Sequence, residues 1–172
     1  MAKKIYQANY PNDNRGWIGT ETFHIVLNST AADNQIKLPD DSSFLFGEFY
    51  QVIDFGTNNV DTTKVTDMRA MFYRATNFNG DISDWNTAKV TDMRAMFSDA
   101  TSFNGDISGW NTANVTDMGY MFYNATGYNQ PIELDISGLK DDQYTTGKEG
   151  LANAFNGCPA PSIILNAGLR VQ

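Results

Sequence analysis

The chain has one cysteine and one histidine among its 172 residues. A single thiol, Cys158, closes no disulfide within the chain, and the redox compartment stays open. Acid–base and nucleophilic catalysis lean on His and Cys, so their scarcity argues against an enzyme. His24 falls inside Thr22-Phe23-His24-Ile25-Val26-Leu27 and reads as an ordinary strand histidine. Cys158, in Asn156-Gly157-Cys158-Pro159, reads as a small buried residue after a helical turn. No apolar run approaches the roughly 18 residues that span a bilayer, and no signal-length run follows Lys3 and Lys4. Gly-rich phosphate loops, zinc-ligand spacings and EF-hand patterns are missing too, so no cofactor or metal site is expected. Basic residues are outnumbered, 12 Lys and Arg against 20 Asp and Glu, for a net charge of −8. That field repels phosphate backbones and anionic lipid, which argues against nucleic acid and membrane insertion as partners.

What the chain has is apolar material and repetition. Hydrophobic residues make up 41% of it and aromatic residues 13%, enough to fold around one core. Val65-Thr66-Asp67-Met68-Arg69-Ala70-Met71-Phe72 returns at 90–97, and again as Val115-Thr116-Asp117-Met118-Gly119-Tyr120-Met121-Phe122, a period of 25 residues. Coils 65–89 and 90–114 differ only at 73/98, 74/99, 77/102, 84/109 and 89/114, leaving 20 of 25 residues identical. Self-similarity on this scale points to stacked units, each unable to bury its apolar side chains alone.

Within a unit, Val65, Met68, Met71 and Phe72 have the spacing of one face of a helical turn, with Thr66 or Asp67 placed to cap it. Asp81-Ile82-Ser83 alternates as a half-buried strand does. The expected class is therefore an α+β repeat: a short leucine-rich-repeat-like solenoid, strand plus one helical turn per coil, with an N-terminal β capping subdomain. The expected divisions are 1–59 for the β-rich cap, 60–165 for about four coils, and 166–172 for a tail. In the cap, Thr22–Leu27, Gln35–Leu38 and Phe49–Phe55 are strand candidates. In the last coil Ile136-Ser137-Gly138-Leu139 echoes Ile107-Ser108-Gly109-Trp110, with insertions at Glu133–Asp135 and Tyr144–Lys148, and Ser162-Ile163-Ile164-Leu165 reads as a final strand.

The run Val-Thr-Asp-Met…Met-Phe…Ala-Thr…Phe-Asn-Gly-Asp-Ile-Ser…Trp-Asn-Thr, strong over 60–132 and looser over 133–165, resembles the repeat of BspA-like surface proteins and Mycoplasma-type lipoproteins. That family is related to leucine-rich repeats. The resemblance implies a surface-exposed binding or adhesion role and carries over no catalytic residues. This chain shows no export signal or lipobox and few coils, which suits a virion component made in a host cytoplasm. The leading expectation is thus a non-enzymatic structural or interaction protein, a phage capsid or tail surface or decoration component binding protein or glycan. The alternatives are a bacterial cell-surface adhesion module and, third, a glycan-active enzyme built on stacked carboxylates.

Positions that vary between otherwise identical coils mark a candidate interaction surface: Tyr73, Arg74, Asn77, Ser98, Asp99, Ser102, Tyr123 and Asn124. Tyr6, Tyr10 and Trp17 are candidates for docking of the N-terminus. Asp81 and Asp106 with Asn79 and Asn104 could share a cation. The competing reading, preferred here, has Asp67, Asp92 and Asp117 capping turns while Asn79, Asn104 and Asn129 form a hydrogen-bonded ladder.

Overall fold

The computed structural model describes residues 25–26, 35–50, 53–54, 59–140 and 150–166. Each repeat begins with an aspartate whose carboxylate accepts the N–H two residues on: Arg69 to Asp67, Arg94 to Asp92 and Gly119 to Asp117, all at 2.8 Å. Two linked turns follow, closed by Met71 N–H to the Met68 carbonyl at 3.2 Å and Ala75 N–H to the Phe72 carbonyl at 3.0 Å. The third residue of each turn is left-handed, Ala70 with φ 52° and Arg74 with φ 55°. A left-handed residue every fourth position stops an α-helix, because helix propagation needs consecutive right-handed residues.

This backbone also decides how units join. Alternate N–H groups, those of Met68, Ala70, Phe72 and Arg74, point along the stack and donate to the carbonyls of Asp92, Arg94, Met96 and Ser98 at 2.8–2.9 Å. The same four-bond junction joins Ser42–Glu48 to Asp67–Tyr73, Met93–Asp99 to Asp117–Tyr123, and Met118–Asn124 to Gly150–Asn156. We call each such segment a face. Parallel bridges Asp41↔Asp67, Asp67↔Asp92 and Asp92↔Asp117 mark the same register.

A second column, the corner, runs beside the faces. Buried Thr62, Thr87 and Thr112 donate their hydroxyls there to the carbonyls of Asn86, Asn111 and Asp135 at 3.0, 3.0 and 2.8 Å. Short strands form at its two ends: β2 (Gln35–Lys37) pairs with β4 (Asn59–Asp61), and β5 (Ile132–Asp135) with β6 (Ile163–Asn166), both parallel. A third pair joins β1 (Ile25–Val26) to β3 (Ile53–Asp54).

The core lies inside these columns. Met68, Met93 and Met118 are fully buried, as are Met71, Met96 and Met121. Phe46, Phe72, Phe97, Phe122 and Phe155 stack with centroids 5.3–6.2 Å apart, and Phe78, Phe103 and Tyr128 make a parallel pile at 5.5 and 5.7 Å. The piles touch, Phe72 to Phe78 at 3.9 Å and Phe97 to Phe103 at 4.0 Å. Burying each such side chain contributes about 1.5–3 kcal/mol, a gain that a unit makes only against its neighbours in the stack.

Several expectations are overturned. No described residue is helical, so the α+β class and the leucine-rich-repeat-like solenoid of strand plus helical turn are wrong; linked turns take the helix's place. Asp81-Ile82-Ser83 is not a strand, since Asp81 accepts the Ser83 N–H and Oγ–H at 3.0 and 2.7 Å and curls the chain into a turn. The expected N-terminal β cap is replaced in part by a face, because Asp41–Glu48 joins the next one through the repeating junction. Ile136-Ser137-Gly138-Leu139 does not sit under Ile107–Trp110. The Thr112 hydroxyl meets the Asp135 carbonyl, and Gly138 lies against the Val115 and Ala113 carbonyls, so Leu134 takes the Trp85/Trp110 position and Leu139 that of Val115. The final strand is found as β6.

Candidate functional site

The left-handed fourth column gathers Glu48, Arg74, Asp99 and Asn124, with φ from 54° to 58°. Glu48, Arg74 and Asn124 are exposed and Asp99 partly so, and these groups alternate in charge and hydrogen-bonding sense. Arg74 reaches Glu48 at 3.7 Å and Asp99 at 3.8 Å, and Asn124 Nδ2 donates to Asp99 Oδ1 at 2.7 Å. The Arg74 guanidinium also lies 4.9 Å from the centroid of the Tyr73 ring. Arg74 and Glu48 are about half exposed, so these pairs add little stability. They do set one row of side chains in fixed order.

Of the residues expected at an interaction surface, the structure brings Arg74, Asp99 and Asn124 into this row, with Tyr73 and Tyr123 partly exposed beside it. Ser98 occupies the tyrosine position in the middle repeat but is buried, 4% exposed. Asn77 is exposed and donates to the Tyr50 carbonyl; Ser102 is exposed. Gly127 holds the equivalent place in the next repeat, and a Cβ there would lie 2.3 Å from the Thr101 carbonyl oxygen, so close packing fixes that change. Tyr6, Tyr10, Trp17 and His24 lie outside the described residues.

Two aromatic side chains on the adjoining ridge were not singled out from sequence. Tyr120 is 37% exposed and meets Tyr123 edge-on at 5.6 Å, and Phe44 is 56% exposed with Arg69 at 5.9 Å from its ring. The signal was present: Gly119-Tyr120 replaces the Arg-Ala of the two preceding repeats. Together with Tyr73 and Tyr123 they give the row an aromatic margin.

The carboxylates behave as parts of turns. Asp81 and Asp106 are held below the ordinary carboxylate range by hydrogen bonds from the N–H and hydroxyl of Ser83 and Ser108. Asp92 is pushed up, chiefly by burial and further by Asp67 and Asp117 on either side. The asparagine ladder forms, with Asn104 N–H donating to Asn79 Oδ1 at 2.8 Å and Asn129 N–H to Asn104 Oδ1 at 2.9 Å. Among the described residues no group of three His, Cys, Asp or Glu is placed to hold a metal ion. Cys158 sits where the earlier repeats carry Ala75, Ala100 and Ala125, and burial pushes its thiol up, away from the reactive thiolate.

Residues 42–156 match the family described as Mycoplasma protein of unknown function, DUF285. Neither a curated protein nor a solved structure matches the chain.

Proposed function

The chain belongs to the DUF285 family, and from that premise we propose that it is a non-enzymatic interaction protein presenting the row Arg74–Asp99–Asn124 and its tyrosine margin to a protein or glycan partner. The observation that carries this reading is the placement of repeat-to-repeat differences. Met68/Met93/Met118, Met71/Met96/Met121 and Phe72/Phe97/Phe122 are unchanged in the interior, while Arg74, Asp99 and Asn124 differ and stand side by side at the surface. Aromatic rings flanking fixed polar groups suit sugar faces and protein surfaces alike, with tyrosine supplying contact area at low entropy cost. In keeping with its BspA-like resemblance we place the protein at a surface, that of a virion first and of a bacterial cell second.

The test is binding of the labelled protein to a glycan array and to immobilised surface proteins of the source, alongside Arg74→Glu and Tyr123→Ala variants shown to melt like the parent. At least a tenfold loss of binding in both is expected; full binding by both sinks the reading. Immunogold labelling of particles and of cell envelopes decides between the two surfaces.

A further inference from the structure

Every junction in the stack uses the same four main-chain donors, and the last face breaks the series. Leu151, Asn153, Phe155 and Gly157 stand where Met118, Tyr120, Phe122 and Asn124 stand one unit earlier. Their N–H groups have no acceptor among the described residues. The apolar columns stop at the same level: Met118 and Phe122 are fully buried, whereas Leu151 and Phe155 beneath them are only half-buried. Alongside, among the described residues β6 pairs only with β5, and Ile163, Ile164 and Leu165 are 39%, 49% and 36% exposed. An open strand edge with apolar side chains is a template for another chain.

We propose that this end of the stack binds a short polypeptide segment of another protein. The segment lies across Leu151–Gly157 with alternate carbonyls turned to the four N–H groups and its apolar side chains covering Leu151, Phe155 and β6. Four donors on alternate residues call for carbonyls at main-chain spacing, which polypeptide supplies and a sugar does not. A second copy of this chain does not fit. Its face Asp41–Glu48 would offer suitable carbonyls, but β2, which precedes that face, would need the place on β5 that β6 already fills. The place left beside β6 by the described residues has the length of one face, the eight residues Asp117 to Asn124 in the preceding unit.

The probe is a synthetic peptide of residues 90–100, a face that is bonded on both sides in the stack, titrated into the full chain and followed by amide hydrogen exchange. In the free chain the amides of Leu151, Asn153, Phe155 and Gly157 should exchange fast while those of Met118, Tyr120, Phe122 and Asn124 are protected. Saturating peptide should slow exchange of the first four by at least tenfold, and a peptide with Met96→Asp should not. Unchanged exchange at saturating peptide overturns the proposal. So does protection of those amides that rises with protein concentration in sedimenting oligomers, since the occupant would then be a second copy.

Discussion

Replacing Tyr128 by Phe should make the protein more stable. Tyr128 continues the pile begun by Phe78 and Phe103, its ring 5.7 Å from Phe103 and 4.7 Å from Phe122, and the residue is fully buried. Its hydroxyl is buried without a hydrogen-bond partner. An unsatisfied buried hydroxyl costs about 1–3 kcal/mol, and Phe preserves the ring, so Tyr128→Phe should gain about 1–2 kcal/mol and raise Tm by about 3–6 °C. Urea unfolding at pH 7 measures the first and calorimetry the second. The alkaline limb gives a second readout. Burial, with smaller contributions from Cys158 and Asp106, holds the phenol above its ordinary value of 10. The unfolded chain therefore releases this proton first, so stability is complete below pH 10 and declines as pH rises beyond it. Tyr128→Phe removes that share of the decline, while Cys158, shifted in the same direction, keeps its own. A variant less stable than the parent by more than about 0.5 kcal/mol would refute the reasoning, because the hydroxyl must then have a partner.

Phe97 meets Phe72, Phe103 and Phe122, so Phe97→Ala should cost about 3–5 kcal/mol in urea unfolding and lower Tm through the whole stack. Ala95 has φ 55°, where a Cβ costs about 1–2 kcal/mol. Ala95→Gly should thus be neutral or stabilising by up to about 1 kcal/mol once the looser unfolded chain is counted. Buried Ala100, outside the left-handed set, should lose about 1 kcal/mol on the same change, and denaturant midpoints compare the two. Asp92 is raised by burial and by Asp67 and Asp117, so its charge disfavours the fold above its unfolded value of 3.8. Asp92→Asn retains an acceptor for the Arg94 N–H and should melt higher than the parent at pH 7, with the gap closing as pH falls towards the unfolded value of 3.8 and gone below it.

The period and the buried methionine and phenylalanine columns were legible, because identical residues at equal spacing must meet identical surroundings. The local backbone was not. Val65, Met68, Met71 and Phe72 have the spacing of a helix face, yet two linked turns deliver the same spacing, and the residues that separate the cases are Ala70 and Arg74. Neither announces a left-handed conformation as Gly or Asn would; only the junction along the stack holds them there. Asp81 and Ser83 alternate with Ile82 as in a strand, but the carboxylate takes the N–H a sheet would have used. In the last unit Asp135-Ile136-Ser137 mimics Asp81-Ile82-Ser83 and misplaced the alignment by a few residues. The structure puts the extra length between Leu139 and Gly150.

Successive units share the same four backbone bonds, and the Thr corner, Asn ladder and Phe pile repeat with them, so a unit of this sequence finds its backbone partners between two others. An in-frame gain or loss of one 25-residue segment, such as 65–89 or 90–114, preserves the backbone junctions and changes only the order of the outward row. Unequal recombination at so repetitive a gene would then shorten or lengthen the molecule in whole steps, altering reach and the number of outward rungs without any new packing problem to solve.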